Sequence, residues 1–203
     1  MLRPLRHRDF ALLFTGTAVS MFGDGLFLVA IAWQAYDLKN SPSTLALVGV
    51  AWSLPLVVFL LAGGVIADAY ERRRILIVSD VMRGAASLSI GVLSVTGALT
   101  LGLLLPLVAL YGVGEALYRP AFTAIMPMLV PAPSLVEANA LKEFAEPAAM
   151  QIAGPAVGGV IIAAAGGAGW AFIADAATFL VSIAAALFIR RLPAAGAPPT
   201  VRA

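Results

Sequence analysis

Six long apolar segments dominate this 203-residue sequence and restrict what it can fold into. A helix needs about 20 largely apolar residues to cross a bilayer. The segments predict transmembrane helices at about 10–36, 45–68, 75–98, 103–129, 134–165 and 170–189. Hydrophobic residues make up 61% of the chain and charged residues only 12%, an excess that a single soluble core cannot bury. The sequence therefore predicts an all-α membrane protein with six transmembrane helices.

Basic residues fall mainly on one side of this arrangement. They are Arg3, Arg6, Arg8, Arg72, Arg73, Arg74, Lys142, Arg190, Arg191 and Arg202, whereas the other side has only Lys39. Lys and Arg concentrate in cytoplasmic segments of membrane proteins. We therefore expect a multi-pass protein of the cell membrane with both termini in the cytoplasm. Residues 1–9 would form a tail, 10–190 the transmembrane bundle, and 191–203 the start of a cytoplasmic linker.

Composition argues against several classes of function. The chain has no cysteine, which excludes thiol nucleophiles and Cys-based metal sites. Its single histidine, His7, lies in the basic tail, so the sequence has almost no residues from which to build a metal site or a Ser/His catalytic site. The net charge of +2 is too small to indicate a nucleic-acid partner. We expect neither an enzyme nor a protein with a metal or cofactor.

Two parts of the sequence repeat each other at a shift of 95 residues. The shift aligns Gly63, Gly64, Val65, Ile66, Ala69, Asp80 and Ser87 with Gly158, Gly159, Val160, Ile161, Ala164, Asp175 and Ser182. Three helices separate the two copies, and an odd number reverses the direction through the membrane. The chain is thus predicted to consist of two inverted three-helix repeats, an arrangement typical of secondary transporters.

The segment GVIADAYERRR, from Gly64 to Arg74, follows the second predicted helix. It resembles the loop between helices 2 and 3 of the major facilitator superfamily, commonly written GxxxDRxGRR, and we call it the signature loop. By this resemblance Gly64 allows close helix approach, and Asp68 offers a carboxylate at the membrane edge for the arginines. Two positions depart from the pattern: Ala69 stands where a basic residue is usual, and Glu71 where glycine is usual.

The fifth predicted helix contains a second motif, formed by Gly154, Pro155, Gly158 and Gly159. It is similar to the GPxxGG core found in drug and proton antiporters of the same superfamily. The segments LFTGTAVSMFGDGLF, GEALYRPAFTAIMPMLVP, EANAL and FIADAATFLVS resemble the exporter branch that includes macrolide-efflux and enterobactin-exporter-like proteins. The resemblance covers about residues 8–192 and implies the N-terminal half of a major facilitator fold.

Ionisable residues at membrane depth are costly and are therefore candidates for function. Asp24 lies in the middle of the first helix with no basic neighbour in that helix, so it is the leading candidate for proton coupling. Asp80 and Arg83 are expected to form a structural pair with the signature loop. For Asp175 we expect a role in packing near the outer end of the sixth helix.

The fourth predicted helix has an acid and a base one turn apart, Glu115 and Arg119, with Tyr111 and Tyr118 on the same face. Two interpretations remain open: the pair only neutralises itself, or it acts in transport. In the resembled fold, helices 1 and 4 line the central cavity. Their charged and aromatic side chains would then form part of one pocket.

The resemblance implies a secondary active transporter that exports a small molecule, such as a drug or siderophore, by alternating access and proton influx. Its partners would be the substrate, the proton, the lipid bilayer and a second six-helix bundle. Alternating access needs two bundles, so this chain is expected to be one half. The alternative is a non-transporting membrane scaffold, or a half-transporter subunit that needs a partner.

Overall fold

The computed structural model describes residues 3–190, without the side chains of residues 61–69. Its main helices are α1 (Arg8–Leu38), α2 (Pro42–Ala69), α3 (Arg72–Val95), α4 (Leu101–Leu129), α5 (Leu135–Glu146), α6 (Gly154–Ala165) and α7 (Gly169–Phe188). Within the described range every regular element is helical, and six spans are long and apolar enough to cross a membrane. The predicted fold class is therefore confirmed. The predicted linker, 191–203, lies outside the described residues.

The fifth span is one continuous helical segment, Ala132–Ala165, built from a 3-10 turn (Ala132–Ser134), α5, a π-helical stretch and α6. The π stretch is Pro147–Ala153 and begins at a proline. Proline has no backbone N–H and its ring crowds the preceding turn, so regular α-helical hydrogen bonding cannot continue through it. The π-helical turns are wider than α-helical turns, so the backbone of the fifth span is irregular where it contacts α1.

Contacts between helices follow the inverted repeat. α1 packs against α7 as α4 packs against α3, and α2 packs against α4 as the fifth span packs against α1. α3 and α7 pack against each other, which is what a twofold relation between the two triplets requires. α2 and the fifth span are the least buried, so they flank the bundle while α1, α3, α4 and α7 form its centre.

Two hydrogen bonds between α3 and α7 reproduce the repeat at the level of single atoms. Ser182 Oγ donates to Asp80 Oδ2 at 2.6 Å, and Ser87 Oγ donates to Asp175 Oδ2 at 2.7 Å. All four side chains are buried. Each helix thus supplies one serine and one aspartate to the same interface, in opposite order along the membrane normal.

The core consists of two apolar clusters stacked along the membrane normal. One is centred on Phe27, Tyr111 and Phe172, and the other on Phe10 and Ile125. Between them the four central helices bring polar side chains together, all buried except the partly exposed Asp24, and we call this group the polar layer. Its members are Thr17, Ser20, Asp24, Ser79, Asp80, Arg83, Ser87, Glu115, Asp175 and Ser182.

Candidate functional site

Asp24 lies at the centre of the polar layer. Its Oδ1 accepts a hydrogen bond from Tyr111 Oη at 2.5 Å, and Arg83 Nη1 lies 3.3 Å from the same oxygen. Arg83 Nη1 also lies 3.4 Å from Oδ2. The Asp24 side chain is 16% exposed, whereas that of Arg83 is 2% exposed. The carboxylate is therefore held from one side by α3 and α4 and remains open on the other.

Arg83 connects two carboxylates on different helices. Its Nη2 donates to Asp80 Oδ1 at 2.5 Å, one turn away on α3, while Nη1 reaches Asp24 on α1. The guanidinium lies 4.4 Å from the ring centroid of Tyr118 and 4.6 Å from that of Phe179. Stacking between two rings holds a cation without further hydrogen bonds. The position of this one positive charge is thus fixed between α1, α3, α4 and α7.

Asp80 and Arg83 pair with each other as expected, but among the described residues neither contacts Arg72, Arg73 or Arg74, so that part of the expectation is wrong. Both side chains point into the polar layer because their i, i+3 spacing places them on the face of α3 that packs on α7. The long arginine side chain then reaches α1 as well. The arginines of the signature loop have other partners.

A second ion pair lies on α4. Arg119 Nη2 is 2.5 Å from Glu115 Oε1, at the predicted i, i+4 spacing. Trp52 Nε1 of α2 donates to the other oxygen, Oε2, at 2.8 Å. The Arg119 side chain is 57% exposed, whereas that of Glu115 is 9% exposed. Glu115 therefore has partners on two helices, and Arg119 presents a guanidinium to the open side of the bundle.

These residues border one cavity of about 180 Å³. Its lining residues are Met21, Asp24, Arg83, Glu115, Tyr118, Arg119, Phe122, Thr123, Lys142, Glu146 and Met150. Asp24, Glu115, Tyr118 and Arg119, all named from the sequence, thus come together. Tyr111 does not line this cavity, because it is 2% exposed and stacks on Phe27 behind Asp24, with 4.0 Å between the ring centroids.

The fifth span supplies cavity residues that sequence reasoning did not find. Lys142 Nζ lies 3.4 Å from Glu146 Oε2, and both face the cavity. Their i, i+4 spacing was visible in the sequence, but such a pair is common on solvated helices. Trp52 was also missed. A lone tryptophan in an apolar helix gives no signal of a partner 63 residues away.

The signature loop joins α3 to the end of α7. Arg73 Nε donates to the Ala186 carbonyl at 2.7 Å, and Arg73 Nη2 donates to the Leu187 carbonyl at 2.6 Å. These carbonyls lie in the last turn of α7, where intrahelical partners run out. Glu71, one of the two departures from the family pattern, pairs with Arg74 at 3.0 Å. The packing of Gly64 and the side chain of Asp68 lie outside the described part of the structure.

The GPxxGG motif lies where α6 crosses α1, beside Asp24. A Cβ added to Gly154 would lie 2.5 Å from the Phe22 carbonyl oxygen and 2.7 Å from Gly25 Cα. Gly158 faces Leu26 of α1, whereas Gly159 meets no atom within 4 Å. Pro155 is the second residue of α6, directly after the π-helical turns, and has no N–H to donate to a carbonyl of those turns. The first glycine of the motif therefore lets two backbones touch at the level of the polar layer.

Comparison with known proteins agrees with this architecture. A family model described as transmembrane secretion effector matches residues 1–199. The multidrug efflux pump Tap of Mycolicibacterium fortuitum is 32% identical over 182 residues, which cover 87% of this chain and 44% of that protein. Macrolide efflux protein A of Streptococcus pyogenes is 27% identical over 128 residues, covering 63% of this chain and 32% of that protein. The chain spans less than half the length of these relatives.

Proposed function

Because the chain belongs to the transmembrane secretion effector family of the major facilitator superfamily, we propose that it is the N-terminal half of a proton-coupled exporter of small molecules. Membership of this family makes it a transporter protein rather than an enzyme. The proposal adds proton coupling, export by alternating access, and a second six-helix bundle. The environment of Asp24 is the observation on which proton coupling rests.

Asp24 has the properties that a coupling residue needs. Asp24 and Asp80 both form ion pairs with Arg83. Asp24 also accepts a hydrogen bond from the Tyr111 hydroxyl. A proton on Asp24 would remove its attraction for Arg83, which would leave α1 less firmly held to α3. Since part of the carboxylate is exposed to the cavity, substrate and proton would compete for the same position. Competition of this kind allows a proton that enters to be exchanged for a substrate molecule that leaves.

The cavity fits an amphipathic small molecule. Aromatic and thioether side chains, Tyr118, Phe122, Met21 and Met150, alternate with ion pairs around its wall. Flexible methionines adapt to ligands of different shape, and the exposed Arg119 offers hydrogen-bond donors to polar groups of a substrate. A drug such as a macrolide, or a siderophore, meets these requirements. The 180 Å³ bounded by this chain would then be one part of a larger site completed by the second bundle.

Exposed apolar and basic side chains support the membrane location and the proposed orientation. α2 and the fifth span leave apolar side chains such as Val57, Val58 and Val160 exposed, and these suit lipid or a second bundle equally. Arg73 and Arg74 line a pocket with Leu187, near the end of α7, and Arg8 and Arg190 line another with His7. Positive charge therefore gathers at one end of the bundle. By the positive-inside rule this end, with both termini, faces the cytoplasm of the cell membrane.

Transport by everted membrane vesicles tests the proposal. The chain is produced joined through residues 191–203 to a second six-helix bundle, and uptake of a macrolide is followed after a pH gradient is imposed. We expect uptake that a protonophore abolishes and that Asp24→Asn reduces by at least tenfold. Asp37→Asn, in the last turn of the same helix, is the matched control and should transport normally. Normal uptake by Asp24→Asn would rule out the assigned role, and no uptake by any form would favour a scaffold.

A further inference from the structure

Asp175 is a buried carboxyl group that the proposed mechanism does not yet use. Its side chain is 0% exposed, and it lies on α7 between α1 and α3. Oδ2 accepts the hydrogen bond from Ser87. Oδ1 has no hydrogen-bond partner among the described residues. A Cβ added to Gly23 would lie 2.5 Å from Oδ1, so the backbone of α1 covers this oxygen directly beside Asp24.

The charges around Asp175 do not balance. Three elements present charged or titratable groups to it: Asp24 on α1, Arg83 on α3 and Tyr111 on α4. Asp80 of α3 takes part in the same network through Arg83. α6, which also contacts α7, has no titratable residue. Three carboxyl groups therefore surround a single cation, and both described salt bridges of that cation go to Asp24 and Asp80.

An ionised carboxylate enclosed by protein without a cation in contact is too costly to persist in a low-dielectric core. The neutral acid is the form that this position accommodates. Repulsion between the negative charges of Asp24 and Asp175 adds to the cost while Asp24 is ionised on Arg83. Arg83 can therefore neutralise the negative charge of only one of Asp24 and Asp175 at a time.

We propose that Asp175 is a second proton-carrying residue of the transporter, neutral while Asp24 is ionised. In the coupled step Asp175 gives its proton to Asp24, so that one O–H bond breaks and another forms. Asp24 becomes the neutral acid, and Arg83 is released from it to compensate the new carboxylate on Asp175. The total charge of the four groups is the same before and after. This inference rests on the proposed proton-coupled export.

The positions of the three aspartates suit such a path. Asp80 lies in the first half of α3 and Asp175 in the first half of α7, and these two helices start from opposite ends of the bundle. Asp24 lies near the middle of α1. The three carboxyl groups thus occupy three depths, with Asp24 in between and facing the cavity. Asp175 is the one nearest the end that the positive-inside rule assigns to the outside.

Infrared spectroscopy of the full 203-residue chain in lipid nanodiscs tests whether Asp175 holds a proton. A neutral carboxylic acid has a C=O stretching band that moves on transfer to D₂O and is absent for a carboxylate. At neutral pH we expect this band in the wild type and its loss in Asp175→Asn. In Asp24→Asn the band should weaken, because Arg83 is then free to compensate an ionised Asp175. Asp175→Glu should shift the band, which provides a second variant if the asparagine does not fold. A wild-type band left unchanged by both Asp175 variants would overturn the proposal.

Transport then tests the path itself. In the vesicle assay Asp175→Asn should lose at least tenfold in proton-driven uptake, yet keep exchange of labelled for unlabelled macrolide, which needs no net proton movement. Loss of both activities together, or normal uptake, would contradict a role in proton transfer. If wild-type uptake is insensitive to a protonophore, the proposed function is wrong. The infrared result still decides in that case whether Asp175 is a proton-holding residue.

Discussion

Arg83 and Thr178 occupy matching positions in the two halves of the inverted repeat, and only one of them is charged. Arg83 pairs with Asp80 one turn before it, whereas Thr178 donates its hydroxyl to the backbone carbonyl of Asp175 at 2.7 Å. The two serine–aspartate hydrogen bonds are related by the twofold symmetry, but Arg83 has no charged counterpart in the second half. The asymmetry directs the only buried guanidinium of the described residues towards Asp24.

Removing that cation should be severe. Arg83→Met keeps a long apolar side chain but leaves Asp24 and Asp80 with their hydrogen bonds from Tyr111 and Ser182 and without a cation. Breaking a buried ion pair costs about 3–5 kcal/mol. We expect a loss of this size in the free energy of unfolding, measured by chemical denaturation in detergent micelles. Arg74→Met, on the same helix with a 74% exposed side chain, is the control and should change stability little. Equal effects of the two changes would contradict the pairing.

The two symmetric serines should differ in their contribution. Ser182→Ala leaves Asp80 with Arg83, but Ser87→Ala leaves Asp175 with no described side-chain partner. An unsatisfied buried polar group costs about 1–3 kcal/mol, so Ser87→Ala should be the more destabilising change by about 1 kcal/mol or more. Unfolding of both variants under one set of conditions measures the difference. The opposite order would show that Arg83 does not satisfy Asp80.

Close approach of α1 and α6 should fail when Gly154 gains a side chain. Gly154→Val would push the valine Cβ against the backbone of Phe22 and Gly25, which cannot move aside as a flexible side chain can. Overpacking of this kind costs about 1–3 kcal/mol. Gly159→Val is the matched control, since nothing lies within 4 Å of its added Cβ. Thermal unfolding of the two variants should give a lowered midpoint for Gly154→Val only.

Arg73 should protect the end of α7. Arg73→Ala removes one donor from the Ala186 carbonyl, which keeps the Ile189 N–H, and the Nη2 donor from the Leu187 carbonyl, which then depends on solvent. We expect faster hydrogen exchange of the amides near Ile189, by about fivefold or more if the bonds contribute about 1 kcal/mol. Arg74→Ala should not change these rates. Mass spectrometry of exchanged peptides resolves this segment from the rest of α7.

Hydrophobic length and charge placement were enough to predict the fold. Six apolar runs of bilayer length have few alternatives to six helices, because lipid leaves no other way to satisfy backbone hydrogen bonds. The repeat also pointed to specific atoms, since the Asp80–Asp175 and Ser87–Ser182 identities became the two reciprocal hydrogen bonds. A sequence signal of this kind survives because both copies of the interface need the same side chains.

Partners between helices were harder to predict. Asp24 stood out by its depth alone, but its contact with Arg83 depends on how α1 and α3 are rotated about their axes, which an almost uniformly apolar helix does not encode clearly. The same applies to Trp52 and Glu115. Asp175 looked like a packing residue because its neighbours in sequence are small and apolar. The reason to assign it a role is visible only in the structure, where Asp175, Asp24 and Asp80 lie around the single cation Arg83.

Arg73 has a mechanical consequence for the bundle. It ties the start of α3 to the last turn of α7, at the point from which the chain continues towards residues 191–203. The two serine–aspartate hydrogen bonds join α3 and α7 at two further positions. Because they are joined at three positions, α3 and α7 would move together as one rigid body. Flexing must then occur elsewhere. The crossing of α1 with the fifth span, where glycine backbones touch next to π-helical turns, is the natural pivot.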